Sequence, residues 1–158
     1  MEKVDISFKT SASDPAVFNF RVACIIEKDG QVLLHRKKAD DFWNMLGGRV
    51  QFGETCEEAI RRELKEEIGC ECSLVKHEHI CENFYELKGS LFHEILVIFR
   101  VKLKDEIDLG KIEEDIVIKW FPKEELDGVV IKPEFTKNII INETNNINWY
   151  VNDEISKQ

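Results

Sequence analysis

Three glutamates near the middle of the chain have the type and spacing of a metal site. Glu63 and Glu67 are four residues apart, and Glu66 stands between them. On an α-helix, residues four apart lie one turn above each other, so Glu63 and Glu67 would share one face with Glu66 one step further round. Carboxylate oxygens are hard ligands, and they favour magnesium, with manganese as the alternative ion. The alternative without metal binding is a solvated acidic face, which helices with interspersed Arg and Lys commonly have.

The helix that would carry these acids has clear start and stop signals. Thr55 followed by Glu58 is the pattern of a capping box, and Gly69 stands where a helix needs a residue that tolerates the left-handed conformation. These signals predict a helix over residues 56–68. Its apolar stripe, which would face a core, consists of Cys56, Ile60, Leu64 and Ile68.

The spacing of the whole segment is far more specific than the acids alone. It reads, in order, Gly48, Glu54, Arg62-Glu63-Leu64, Glu66-Glu67 and Gly69. Position for position this resembles the signature box of the Nudix hydrolases. The resemblance implies an α/β fold, the Nudix α/β/α sandwich with a mixed β-sheet between helices. It also implies a metal-dependent hydrolase that cleaves a phosphoanhydride bond in a nucleoside diphosphate linked to another group. Such substrates include (d)NTPs, dinucleoside polyphosphates and nucleotide sugars.

The resemblance also assigns roles within the box. Glu63 and Glu67 match the principal metal ligands, Glu66 matches a further ligand, and Gly48 or its neighbour Gly47 would lend a backbone carbonyl. Glu63 thereby also counts as catalytic.

Other positions of the box are expected to hold these ligands in place. Arg62 is expected to orient a box glutamate by a charge-assisted hydrogen bond. Glu54 matches the glutamate that stabilises the joint between loop and helix; a simple helix N-terminal charge is the equal alternative. Gly69 matches the structural glycine that ends the box.

Residues outside the box complete the expected site. The general base is expected in the acidic loop before Trp120, where Glu114 is preferred and Glu113 is the close alternative. The remaining expected site residues would bind substrate: Arg36 would contact phosphate, and Phe84 and Tyr85 would stack on a base. Arg at a strand end and aromatic residues within a strand are also ordinary features, so these three assignments have structural alternatives.

Length and composition bound the function. A chain of 158 residues is near the usual size of one domain, so we expect a single domain over residues 1–158. The net charge of −9 disfavours nucleic-acid polymers and leaves small phosphorylated nucleotides as partners. No apolar run is long enough for a membrane helix. Five cysteines without a C-x-x-C pair favour a reduced, cytoplasmic setting.

Two interpretations of the whole chain differ in class from a hydrolase. The first is a non-catalytic nucleotide-binding or sensing module that keeps the fold, although all three helix glutamates are present. The second is a structural protein with an acidic helix. Separately, the resemblance allows a homodimer.

The elements around the helix follow from alternation and turn signals. A second helix is predicted over residues 133–144, and the Asn-rich segment 142–152 fits either strand or loop. The apolar segment 91–103 is expected to be a central strand. The other predicted strands are 4–8, 18–27, 31–36, 71–87 and 116–121.

Overall fold

Strand β2 (Ala16–Lys28) lies inside the sheet because apolar side chains occupy both of its faces. Val22 and Cys24 belong to one buried cluster, whereas Ala23 and Ile25 belong to another. A strand that is apolar on both faces needs a cover on each side. Helix α1 (Cys56–Ile68) covers the first cluster, and helix α2 (Phe135–Ile141) covers the second.

The computed structural model describes residues 2–11, 13 and 15–156. Residues 1, 12, 14, 157 and 158 of the predicted domain lie outside the described residues. Two short 3-10 helices span Leu109–Lys111 and Lys123–Gly128. The other strands are β1 (Ser7–Lys9), β3 (Gln31–Lys37), β4 (Leu46–Arg49), β5 (Cys72–Leu87), β6 (Ser90–Leu103), β7 (Ile116–Pro122) and β8 (Asn148–Asp153).

The strands form a mixed sheet with the order β7-β3-β2-β6-β5-β8, and β1 and β4 each pair with β2 beside this row. The pairs β2–β6 and β5–β8 are parallel, and the remaining pairs are antiparallel. The predicted α/β/α sandwich is therefore confirmed. Strand β6 lies between β2 and β5, as its apolar sequence predicts.

Helix α1 has the predicted bounds, because its signals are local. Thr55 Oγ1 accepts a hydrogen bond from the backbone N–H of Glu58 at 3.2 Å, and the Glu58 carboxylate accepts one from Thr55 N at 2.7 Å. Gly69 ends the helix with φ +71°. Its two caps therefore fix the orientation of α1 over the sheet.

The C-terminal part departs from the prediction in length. Helix α2 is shorter than residues 133–144, because Pro133 precedes its first turn and the helix ends at Asn142. Asparagine favours local hydrogen bonds outside helices, and this helps to end the helix there. The undecided Asn-rich segment forms β8, which pairs with β5. Neither helix among the described residues is long and apolar enough to span a bilayer.

A buried ion network fastens α2 to the sheet. Arg100 of β6 is 4% exposed and donates to both oxygens of Glu78, which is 1% exposed, at 3.2 and 3.1 Å. It also donates to Glu27 of β2 and, at 3.2 Å, to the backbone oxygen of Ile139 in α2. One guanidinium thus joins β2, β5, β6 and α2.

Replacing Arg100 by methionine should destabilise the protein by about 3 kcal/mol or more, because the buried Glu78 carboxylate loses both hydrogen bonds from the guanidinium. Urea unfolding measures this loss. Lys28→Met is the matched control: its pair with Glu106 is exposed, so we expect a change below about 1 kcal/mol. Equal stability of the two variants would contradict a structural role for the network.

Candidate active site

A cavity of about 250 Å³ opens beside the C-terminal half of α1. The helix, strand β3 and the loop before β7 supply its polar side chains. These are His35, Glu63, Glu66, Glu67, Lys111 and Glu113. The three predicted helix acids therefore line one concave site.

Arg62 organises the acids on one side of this site. Its side chain is 13% exposed, and it donates to Glu63 at 2.7 Å and to Glu66 at 3.1 Å. Two further hydrogen bonds reach Glu54, at 2.7 and 3.1 Å, and one reaches the backbone oxygen of Arg49 at 2.9 Å. The guanidinium thereby ties helix α1 to the end of strand β4.

Glu54 joins the loop to the helix. Besides Arg62, its carboxylate accepts a hydrogen bond from the backbone N–H of Gln51 at 2.8 Å. The hydrogen bonds from Arg62 lower the pKa of Glu54 below its usual range, despite some burial. An ionised Glu54 therefore braces the start of α1 at neutral pH.

The pKa values of Glu63 and Glu67 are raised, whereas that of Glu54 is lowered. Burial raises the pKa of Glu63, although its hydrogen bond from Arg62 works against this. Burial, helped by the nearby Glu63 charge, raises the pKa of Glu67 to about 8. Only a hydrogen bond from the Gly47 backbone and the more distant Arg21 charge favour its ionised form appreciably. Glu67 thus gains most from a cation beside it.

Two adjacent glycines allow close packing on both sides of strand β4: Gly48 against a helix acid and Gly47 against strand β2. A Cβ on Gly48 would lie 2.3 Å from the carboxylate of Glu63, and a Cβ on Gly47 would lie 2.1 Å from the backbone oxygen of Val22. Real Cβ atoms do not make such contacts. The Glu63 carboxylate therefore rests directly on the strand backbone.

The donor set fits a hard divalent cation in type and position. Among residues 2–11, 13 and 15–156, no three His, Cys, Asp or Glu side chains converge in a ready-made metal cage. Glu67 Oε2, however, is buried without a hydrogen-bond partner, and Glu63 lies close by in the same cavity. A buried carboxylate oxygen without a partner needs a proton or a cation to balance it. The residues that would hold an ion are Glu63 and Glu67.

Two other expected site residues, Arg36 and Glu114, do not line this cavity. Arg36 does not line the cavity; it donates to the backbone oxygen of Asp40, and its guanidinium lies 5.2 Å from the centre of the Trp43 ring. Of the two neighbouring loop acids, Glu113 lines the cavity and Glu114 does not.

Phe84 and Tyr85 lie on opposite faces of β5, as adjacent strand residues must. Phe84 packs on His93, with ring centres 4.3 Å apart. Tyr85 stacks on Phe92 at 4.9 Å, and its hydroxyl donates to the buried carboxylate of Glu94 at 3.1 Å. Neither ring lines the cavity beside α1, so a shared stacking role stays a prediction.

Two residues that line the cavity, His35 and Lys111, were not predicted as site residues from the sequence. His35 follows Leu33 by two positions, so strand alternation placed it on the α1 side of β3, yet lone histidines are usually structural. Burial, together with the Arg21 charge, lowers its pKa to about 4, which keeps the imidazole neutral. Lys111 comes from an irregular loop, where no periodic pattern applies.

Comparison with known proteins agrees with this architecture. CTP pyrophosphohydrolase of Escherichia coli is 36% identical over 76 residues, which cover 46% of this chain and 55% of that protein. RNA pyrophosphohydrolase of Orientia tsutsugamushi is 29% identical over 119 residues, covering 68% and 69%. The solved structure of a MutT protein from Bacillus halodurans has a TM-score of 0.69 at 20% identity, over 85% of this chain and 90% of that one.

The mixed sheet between helices, with acids gathered on one capped helix, defines an α/β protein with an acidic cavity. Residues 18–139 match the family model of the NUDIX domain. This chain therefore belongs to the Nudix family, as its box indicates. The match to the E. coli protein spans about half of that protein's length.

The raised pKa of Glu67 predicts a pH-dependent stability in the presence of a metal chelator. A carboxyl whose pKa is higher in the folded chain binds more protons when folded, so the free energy of unfolding falls as pH rises from about 4.5 to about 8. Glu67→Gln removes this contribution. We compare the free energy of unfolding of Glu67→Gln with that of the wild type at pH 5 and at pH 8.5. The difference should shift by about 1–2 kcal/mol in favour of Glu67→Gln as pH rises, less than full burial would give because solvent reaches part of the site.

Urea unfolding at a series of pH values measures the difference. Glu66→Gln is the control, because the Glu66 side chain is 59% exposed and the gain should be small. A difference between Glu67→Gln and wild type that does not change with pH would contradict the assigned protonation of Glu67.

Proposed function

We propose that this chain is a magnesium-dependent hydrolase that cleaves a phosphoanhydride bond in a nucleoside diphosphate linked to another group. The observation that carries the proposal is the cavity beside α1, because Glu63, Glu66 and Glu67 line it together. Manganese is also a hard ion that accepts oxygen ligands, and it is the alternative to magnesium.

Phosphoanhydride hydrolysis needs aligned reactants and neutralised charge more than covalent catalysis. A bound magnesium ion would supply charge neutralisation and acidify the attacking water. Glu63 and Glu67 would hold this ion, with Glu66 and the backbone carbonyl of Gly48 as further donors. Arg62 favours the ionised form of Glu63 and orients its carboxylate through a 2.7 Å hydrogen bond.

Glu113 is the better candidate for the general base. A base must reach the proton of the attacking water, and Glu113 lines the cavity whereas the neighbouring Glu114 does not. Glu113 is exposed, so water can reach its carboxylate. We therefore assign this role to Glu113 in place of the residue that the sequence favoured.

The substrate is proposed to be a small nucleotide. The two relatives are named as pyrophosphohydrolases of CTP and of RNA, so both names combine a nucleotide substrate with hydrolysis at a pyrophosphate group. The net charge of −9 disfavours binding of an RNA polymer and is compatible with one short phosphate chain that a cation neutralises. The five cysteines are free thiols, which supports the cytoplasm as the proposed compartment.

The proposal predicts magnesium-dependent turnover of at least one compound in a panel of (d)NTPs, dinucleoside polyphosphates and nucleotide sugars. Glu63→Gln should lower kcat about 10²- to 10³-fold, because it removes a charged ligand of the cation. Phosphate and nucleotide release measure both effects. Glu57→Gln is the matched control on the same helix, since Glu57 pairs with Arg61 outside the cavity and its loss should leave kcat unchanged.

No turnover of any compound with any divalent ion would overturn the enzymatic proposal. Calorimetry that shows tight nucleotide binding in that case would favour the non-catalytic binding module.

A second prediction concerns the contact between Glu63 and strand β4. Gly48→Ala puts a Cβ 2.3 Å from the Glu63 carboxylate, so this side chain must move and kcat should fall at least about tenfold. Gly128→Ala is the control, because a Cβ there meets nothing within 4 Å. Full activity of Gly48→Ala, at unchanged thermal stability, would show that the position of Glu63 does not matter.

A further inference from the structure

Lys111 is the one lysine or arginine among the described residues that line the cavity beside α1. Four glutamates line the same cavity: Glu63, Glu66, Glu67 and Glu113. A nucleotide with a phosphate chain brings further negative charge, and a single divalent ion cannot balance all of it. The electrostatics of the cavity therefore give its one ammonium group a clear partner in the substrate phosphates.

Among the described residues, no protein group holds the Lys111 ammonium. It makes no ion pair or hydrogen bond with the side chains that the structure describes, although acidic residues surround the cavity. By contrast, Lys65 pairs with Glu71 at 3.2 Å, and Lys76 pairs with Glu78 at 3.3 Å. Lys111 thus keeps its three N–H donors available.

The position of Lys111 is nevertheless fixed, because its loop is docked on the end of α1. The backbone N–H of Asp108 donates to the oxygen of Ile68 at 2.9 Å. Asp108 Oδ1 accepts from the backbone N–H of Gly110 at 3.0 Å, and its backbone oxygen accepts from Lys111 N at 3.0 Å. Asp108 therefore holds both the helix end and the turn that carries the lysine.

Gly69 makes this docking possible. A Cβ on Gly69 would lie 2.7 Å from Asp108 Cβ and 3.4 Å from Lys111 Cγ. Gly69 thus has two structural roles. Its φ of +71° ends the helix, and its lack of a side chain leaves room for the loop and for the lysine side chain to pack against its Cα.

We propose that Lys111 is a substrate-binding residue whose ammonium binds non-bridging phosphate oxygens in the cavity, and that Gly69 and Asp108 position it there. The proposal rests on the proposed hydrolase function and adds a residue to it. The ammonium offsets phosphate charge in the bound substrate, so its main effect is on binding and not on the chemical step.

The test compares Lys111→Gln with Lys104→Gln on the best substrate of the panel at saturating magnesium. For Lys111→Gln we expect KM to rise about ten- to hundredfold with kcat within threefold, as loss of one charge-assisted hydrogen bond gives. Lys104→Gln removes the same charge from an exposed residue outside this cavity, and its KM should stay within twofold. Lys111→Arg should keep most of the affinity.

Two further readouts separate binding from a structural role. The KM of the wild type should rise with salt concentration more steeply than that of Lys111→Gln. Asp108→Ala should also raise KM, but it should add little in a double variant with Lys111→Gln, because Asp108 acts through the lysine.

An unchanged KM and an unchanged salt dependence in Lys111→Gln would overturn the proposal while leaving the hydrolase function intact. A wild type without turnover would overturn both. If Lys111→Gln loses thermal stability, the charge-conserving variant Lys111→Arg provides the test. A KM for Lys111→Arg as high as that of Lys111→Gln would count against phosphate binding.

Discussion

The site depends on the five hydrogen bonds that one guanidinium makes. Arg62 has five N–H donors, and each has an acceptor: two on Glu54, one on Glu63, one on Glu66 and one on the backbone of Arg49. Like charges this close on one helix would otherwise repel each other. Lysine has only three donors and no planar fork, so it could not replace this arrangement. The arginine thus permits a dense group of carboxylates at the edge of an apolar core.

The glycines of the box do more than allow turns. Gly48 gives the Glu63 carboxylate a place on strand β4, and Gly69 gives the loop of Asp108 a place on the end of α1. Each of these contacts joins elements that are distant in sequence, and each would be blocked by a single methyl group. The geometry of the cavity therefore depends on missing side chains as much as on the charged ones.

The sequence predicted the parts of the site that local signals determine. The bounds of α1 follow from Thr55 and Gly69, and the sheet order around it follows the family fold. Local signals could not place Lys111, because its position comes from the docking of an irregular loop. Local signals could not decide between Glu113 and Glu114 either, because both lie in the loop before β7. Strand β8 was left open because its partner β5 is about seventy residues away, and asparagine-rich segments carry little strand preference.

The distribution of charge around the cavity sets what can enter it. Arg62 neutralises the outer acids, but it makes no hydrogen bond to Glu67, and the neighbouring His35 is neutral because its pKa is about 4. The inner wall therefore offers Glu67, whose raised pKa shows that it favours any added positive charge. Without a cation, a polyanionic nucleotide would meet a neutral imidazole and a largely protonated Glu67 at neutral pH, and neither group attracts phosphate charge. In the proposed hydrolase a cation on this wall would offset the charge of the entering phosphates, so binding of metal and nucleotide would be thermodynamically coupled, each strengthening the other.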